Sequence, residues 1–423
     1  MNSDSFISAA EPDLARHIRP GDTVMWGQSH AEPASLVRAL IAQRERLRRI
    51  RIFLGIGAGT LLTPEHADAF DLMAYCGTGA NRALAEAGVL DILPAHYSQL
   101  PRLIQRGPLR VDVVMLQVSP PDSLGRYSLG MAREYLVDAL ITARAIIAEV
   151  HPDVPWTYGG PYLHEDDIDL LVHSTEPLPN GESAPPGPVE AVIGKHVAGL
   201  IEDGATLQAG IGSIPDAVLS QLHDRHELGV HSGSISNGFA QLYEAGVLTN
   251  SCKSIDQGVS IGGVLIGGEK LRRFAHRNPA LELRGTDYTH SPRVLGSIER
   301  FVAINSAIEV DLTGQVNAEL AGGRYVGAVG GIADFLRAAQ ASRGGVPVIA
   351  LPSTAGSRSR IVPTLSGPVT VPRSDACVIV TEHGVADLRG LTLAQRVPRM
   401  IAVAAPEHQE TLERAAHRAM KRA

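Results

Sequence analysis

The sequence predicts an α/β protein made of two related α/β domains with mostly parallel sheets. Three observations carry that expectation. Apolar strand-like runs alternate with helical stretches along most of the 423 residues, the pattern of parallel strands joined by covering helices. The two halves open alike. Gly21-Asp22-Thr23-Val24-Met25-Trp26-Gly27 runs to a turn and Pro33, and Asp203-Gly204-Ala205-Thr206-Leu207-Gln208-Ala209-Gly210 runs to a turn and Pro215, a short internal repeat. Between them, positions 174–189 read S-T-E-P-L-P-N-G-E-S-A-P-P-G-P-V, too dense in proline and glycine for a long element, so this is the expected linker. The expected domains are 1–183 and 184–423.

Taken in order, Thr23 to Trp26, Arg51 to Leu54 and Val111 to Val118 read as strands. Pro33 to Gln43, Tyr135 to Glu149 and Val189 to Asp203 read as helices. Gly55-Ile56-Gly57-Ala58-Gly59 follows a strand, but Thr60 occupies the sixth position of a dinucleotide fingerprint and Pro64 interrupts the next helix, so it reads as a turn. In the second half Thr206 to Gln208 reads as a buried strand running into Gly210, Ile211 and Gly212. Ser213 is the expected cap of a helix from Asp216 to about His223, with Pro215 near its first turn. Such a turn brings backbone N–H groups and a helix N-terminus to an anion such as a phosphate. A strand from Leu228 to Ser232 then leads into a small polar turn, 233–238.

Hydrophobic residues make up 44% of the chain and charged residues 20%, enough apolar material for large cores and too little charge for disorder. The net charge is −7 with no basic run, which argues against nucleic acid or a membrane surface as the partner. No uncharged apolar run reaches the length that crosses a bilayer. Cys76, Cys252 and Cys377 are scattered and give neither a disulfide framework nor a C-x-x-C zinc pattern. A reducing cytoplasm is therefore expected, with Cys252 as a small apolar filler. The first residues lack the basic and apolar regions of a signal peptide. His223 and His226 have no third ligand pattern beside them, so no metal site is expected.

The loop Q-A-G-I-G-S-I-P-D-A from Gln208 and the following His231-Ser232-Gly233-Ser234-Ile235-Ser236-Asn237-Gly238 resemble the acetyl-CoA hydrolase and 4-hydroxybutyrate/butyrate CoA-transferase family. Its members carry a similar Q-x-G-I-G-x-x-P-x-A loop and a strand ending H-(S/T)-E-M-x-S-D-G. Further stretches extend the resemblance over nearly the whole chain. They include 27–33, Gln117-Val118-Ser119-Pro120-Pro121-Asp122 with Tyr127-Ser128-Leu129-Gly130, 305–317, Gly330-Gly331-Ile332-Ala333-Asp334-Phe335, 351–355, 359–363 and 381–390. The resemblance implies two CoA-transferase-like domains with the active site between them, a homodimer, and coenzyme A, as acyl-CoA, for substrate together with a small acceptor.

The resemblance also implies residue roles. Gln208, Gly210, Ile211 and Gly212 bind coenzyme A. The main chain at Ile308 and Gly331 lies by the thioester, and Arg358 meets CoA. The bland alternatives are a strand-core Ile308, a turn glycine of positive φ at Gly331 and a solvated Arg358. Two positions depart from the family pattern. Its nucleophilic glutamate falls on Gly233, and the glutamine of its G-x-G-G-Q-x-D-F falls on Ile332. With Ser234 and with Asn237, where the family usually has aspartate, these make up an expected active-site turn whose pocket has been rebuilt.

The family mechanism passes the acyl group onto the glutamate and then CoA onto the same carboxyl, dividing one hard exchange into easier steps. Glycine has no atoms for this. Three readings stay open. An enzyme of the first kind transfers the acyl group directly to water, an amine or another nucleophile, with backbone N–H groups holding the oxyanion. It needs a base, for which His30, His231 and Glu32 are the candidates. Alternatively, His231 only hydrogen-bonds its turn and Glu32 only caps the helix near Pro33. A second kind performs CoA transfer through another carboxylate such as Glu244 or Glu319. A third is a non-catalytic CoA-binding relative.

Overall fold

Seven strands of the first half, β1 (Thr23–Trp26), β2 (Ile50–Leu54), β3 (Phe70–Ala74), β4 (Leu90–Ile92), β5 (Val113–Val118), β6 (Ala145–Val150) and β7 (Leu170–His173), form one sheet in the computed structural model. Their order is β4-β3-β2-β1-β5-β6-β7, and every neighbouring pair is parallel. The residues described are 12–57, 59–174, 176–181, 184–375 and 377–420. The extreme N-terminus, Ala58 of the glycine turn, and Thr175, Glu182 and Ser183 of the expected linker and domain boundary lie outside them. Strand β5 is V-V-M-L-Q-V and is buried at every position, as a parallel strand covered on both faces must be. The order reverses between β1 and β5. The loops leaving their C-terminal ends therefore part over a crevice, the usual ligand position of an open parallel sheet.

The second half repeats the plan. Its six-stranded sheet runs Gly384–Asp387, Val378–Thr381, Val346–Ala350, Phe301–Ser306, Thr206–Ala209, Gly229–Val230. All neighbours are parallel except the antiparallel edge Gly384–Asp387. The chain is thus an α/β protein of two related domains. Backbone hydrogen bonds join the halves: Gly77 N–H donates to Gly327 C=O at 2.9 Å, Tyr97 N–H to Gly330 C=O at 2.9 Å, and Arg133 N–H to Gly263 C=O at 2.9 Å. Among the described residues no helix is long and apolar enough to cross a membrane.

Some expected elements differ. The single helix read from Tyr135 to Glu149 is a helix, Leu136–Thr142, followed by β6. The run A-I-I-A-E-V contains good helix formers, but β5 on one side and β7 on the other hold it as a central strand, and such tertiary pairing overrides weak propensity. Ser213 is not a cap: it is the first residue of helix Ser213–Ser220, whose N-cap is Gly212. The expected turn at 233–238 is a short strand, Ser234–Ser236, parallel to Val264–Ile266, that passes directly into helix Asn237–Glu244.

Candidate active site

A cleft of about 280 Å3 opens between the halves. Most of its walls are segments that leave the C-terminal ends of strands in both sheets. Gln28 follows β1, Tyr75 and Cys76 follow β3, and Glu134 lies between β5 and β6. From the second half come Gln208 to Ile211 after strand Thr206–Ala209, then Gly233 and Ser234, Asn305 and Ser306, and the run 327–332. Val264, Ile266 and Phe335 give it an apolar flank. Among the described residues no Lys or Arg lines the cleft, and Glu134 is the one carboxyl that does.

The polar end is built around Gln28. Its carbonyl oxygen accepts from Ile56 N–H at 2.9 Å and from the Tyr75 hydroxyl at 2.7 Å. The amide orientation is thereby set, and Nε2 donates to both Glu134 oxygens, at 2.7 and 2.8 Å, and to Tyr97 Oη at 3.0 Å. Burial pushes the Glu134 carboxyl up to about 8, against the opposing pull of the Gln28 and Tyr97 hydrogen bonds. Burial likewise lifts the Tyr75, Tyr97 and Tyr135 phenols well above their ordinary value, so all three remain protonated. Glu134 sits at φ 36°, a left-handed conformation that a non-glycine residue keeps only when its surroundings impose it. Here the Arg133 N–H bond to Gly263 and the 3.3 Å bond from Thr286 N–H to Glu134 C=O impose it.

The opposite wall is organised by His290. Its ring lies between Tyr97, centroids 4.7 Å apart, and Phe335, 4.5 Å apart, and its Nδ1 shares a 2.9 Å hydrogen bond with Thr289 Oγ1. Burial, with a smaller contribution from His231, lowers the imidazole to about 3, so it is neutral. Two glycines admit the ring. A β-carbon on Gly233 would lie 3.0 Å from His290 Cε1 and 3.1 Å from Nε2, and one on Gly331 would lie 2.7 Å from Nε2. Gly331 has φ −90°, so close approach, and not the positive φ considered from sequence, is what a side chain there would violate.

Of the residues singled out from sequence, Gln208, Gly210, Ile211, Gly233, Ser234, Gly331 and Ile332 line this cleft. Gln208 is paired with Asn305, whose Nδ2 donates to its carbonyl oxygen at 2.9 Å. Gly212, at φ 118°, turns the chain from the cleft edge into the helix. The other singled-out residues lie outside the lining. Ile308 N–H is used by Asn317 C=O at 2.9 Å, Arg358 lies exposed in a short hairpin, and Asn237 starts its helix. His30 Nδ1 accepts from Gly267 N–H at 3.3 Å, and burial followed by Arg272 lowers its pKa. His231 is fully buried, its Nε2 at 3.2 Å from Thr289 C=O, and burial followed by Lys253 holds it at about 3. Glu32 borders a separate small cavity behind Gln28, where burial raises it to about 7. Glu319 accepts from Tyr325 Oη and Thr370 Oγ1, and Glu244 ends an exposed helix turn. Neither lines the cleft.

Sequence reasoning missed Gln28, Tyr97, Glu134 and His290 as cleft groups. One signal was present: Arg133-Glu134 is a charged pair inside a largely apolar stretch, and charged side chains are almost never fully buried unless they have partners. Among the described residues no cluster of three His, Cys, Asp or Glu side chains could hold a metal ion.

Comparison with known proteins identifies the family. Residues 4–179 match the acetyl-CoA hydrolase/transferase N-terminal domain and 267–416 the corresponding C-terminal domain. The chain is 38% identical over 395 residues to the 4-hydroxybutyrate coenzyme A transferase of Clostridium kluyveri, covering 92% of each. Its fold is similar to RipA from Yersinia pestis, with TM-score 0.92, 32% identity and 97% of each chain covered. It is also similar to a 4-hydroxybutyrate CoA-transferase from Porphyromonas gingivalis, with TM-score 0.81, 32% identity and 96% of each covered. The domain matches over both halves, with a relative 38% identical over 92% of the chain, place the chain in the acetyl-CoA hydrolase/transferase family.

Proposed function

We propose that the protein acts on an acyl-CoA thioester held in the interdomain cleft and passes the acyl group directly to an acceptor, or to water, without a glutamyl-CoA intermediate. The observation that carries this is the contact between Gly233 and His290. The resemblance puts Gly233 at the family's nucleophile position. A β-carbon there would lie within 3.0 Å of the His290 imidazole, whose ring packs against Tyr97 and Phe335.

The cofactor cradle supports the same reading. Helix Ser213–Ser220 begins at Gly212, which has no side chain to cap it, and a helix N-terminus favours an anion such as the CoA pyrophosphate. Gln208, Gly210 and Gly212 shape that edge, and Ile211, 41% exposed at the mouth, offers apolar surface to the pantetheine arm. Gly331 presents its main chain to the thioester. Val264, Ile266, Ile332 and Phe335 would surround the acyl chain. With no cation in the lining among the described residues, the cleft favours an uncharged acyl group. The proposal includes a cytoplasmic homodimer, which light scattering on the purified protein would check in its oligomeric part.

The deciding experiment incubates the protein with acyl-CoAs of rising chain length, alone and then with acetate or with amines. It follows free thiol and identifies products by mass spectrometry. Thiol release without an acceptor supports hydrolysis, and release with an acylated amine supports direct transfer. CoA exchange onto acetate as the main reaction would sink the proposal.

A further inference from the structure

We infer that Glu134 is the general base of this cleft, drawing the proton from the acceptor, and that Gln28 is the residue that positions it. The inference rests on the acyl-CoA reading above. Three structural observations converge on it. First, among the described residues Glu134 is the one carboxyl lining the cleft. Second, it stands next to the wall formed by Gly233: the point where a β-carbon on Gly263 would lie is 2.9 Å from Gly233 C=O and 3.1 Å from Glu134 Cγ. A carboxyl from the first half therefore enters the region where position 233 offers none. Third, its backbone is held at φ 36° by bonds to Gly263 and Thr286 of the second half, and its two oxygens are held by the Gln28 amide of the first. This is rigid support of the kind a reacting group needs.

The other titratable groups around the cleft do not compete. Tyr75, Tyr97 and Tyr135 keep their protons, and burial also raises the Cys76 thiol. The His290 imidazole is too weak a base. These five stay neutral near pH 7, and the Glu134 shift itself comes from burial against the hydrogen bonds of Gln28 and Tyr97. A carboxyl brought up to about 8 lies near working pH, where proton transfer is most effective.

The step balances simply. The acceptor oxygen or nitrogen bonds to the thioester carbonyl carbon as its proton passes to Glu134. When the tetrahedral intermediate collapses, the C–S bond breaks. The CoA thiolate leaves and takes the proton back from Glu134. Water as acceptor gives the free acid and CoA thiol, and no other reactant is needed.

The test is kinetic. Wild-type kcat should rise with pH through about 8 and then level. Glu134→Gln should lower kcat by about 10²- to 10⁴-fold and lose that profile, while CoA binding by calorimetry stays within roughly threefold. Gln28→Ala removes a donor to the carboxylate, so it should lower kcat and move the apparent pKa upward, a shift that a merely structural residue would not give. A wild-type profile flat from pH 6.5 to 9.5 overturns the inference without any variant having to fold. So does a Glu134→Gln enzyme within about tenfold of wild type, or a CoA adduct found on Glu134. In the first two cases turnover itself leaves the acyl-CoA reading standing, whereas an adduct on Glu134 also removes direct acyl transfer. A wild type that turns over no acyl-CoA at all removes both.

Discussion

Restoring a carboxylate by Gly233→Glu alone should fail to create CoA-transferase activity, and the reason is steric. The first atom of the new side chain would lie 3.0 and 3.1 Å from two atoms of the His290 ring and 3.7 Å from Phe335 Cε2. Carbon contacts are optimal near 3.5–4.0 Å, so the ring must retreat by about half an ångström before the rest of the glutamate is placed. Its movement is restricted by the Tyr97 and Phe335 rings, with centroids 4.7 and 4.5 Å away, and by Thr289 bonded to Nδ1. Overpacking of this kind costs about 1–3 kcal/mol. His290→Ala opens the space and leaves a cavity of its own. The two changes should therefore be coupled: Gly233→Glu/His290→Ala should be more stable than the sum of the single effects by about 0.5–3 kcal/mol in a double-mutant cycle. Denaturant unfolding measures the cycle, and acetate-dependent CoA exchange measures the chemistry, which only the double variant should gain. Additive stabilities, or exchange by Gly233→Glu alone, would show that His290 does not fill the space beside position 233.

Three further outcomes are expected. Glu134 holds its proton in the folded protein up to about pH 8 and loses it from pH 4.5 when unfolded. Its stabilising contribution is thus complete below 4.5, declines as pH rises and is gone above about 8. Relative to Glu134→Gln, wild type should lose on the order of 5 kcal/mol over that interval; unfolding curves that run parallel for the two proteins would refute this. Asp334 accepts from Ser98 N–H at 3.1 Å and from Ser98 Oγ at 2.7 Å, pinning one half to the other. Asp334→Ala should destabilise by about 1–3 kcal/mol and raise KM, and an unchanged melting temperature would count against the pin. Ile211→Asp, at an exposed site, should leave stability within about 0.5 kcal/mol yet raise KM for acyl-CoA roughly fivefold, since a carboxylate near the CoA phosphates adds ~1 kcal/mol of repulsion. An unaltered KM would move CoA away from this edge.

The fold was largely readable because its signals are local. Continuous apolar runs such as V-V-M-L-Q-V and the glycine turn at Gly210 to Gly212 depend on neighbours in sequence. The segments carrying the family motifs also supply seven of the singled-out residues to one cleft. The polar machinery was less readable because it is assembled across distance. Gln28, Tyr97 and Glu134 come from three separate loops of one sheet and His290 from the other half, and no spacing rule links 28 to 134. The β6 segment was misread for a related reason: Ala and Glu suit a helix locally, and only the parallel partners on both sides select the strand. His231 drew attention through its motif, whereas burial against Lys253 and Thr289 keeps it away from the cleft lining.

The most direct measurement is the mass of the intact wild-type protein, quenched with borohydride during turnover of an acyl-CoA. Borohydride reduces an enzyme-bound thioester and marks its position. Direct acyl transfer predicts the unmodified mass and a peptide map with every Asp and Glu intact. A CoA-sized increment before quenching, or a reduced carboxyl at Glu134 or any other acidic residue, would contradict it.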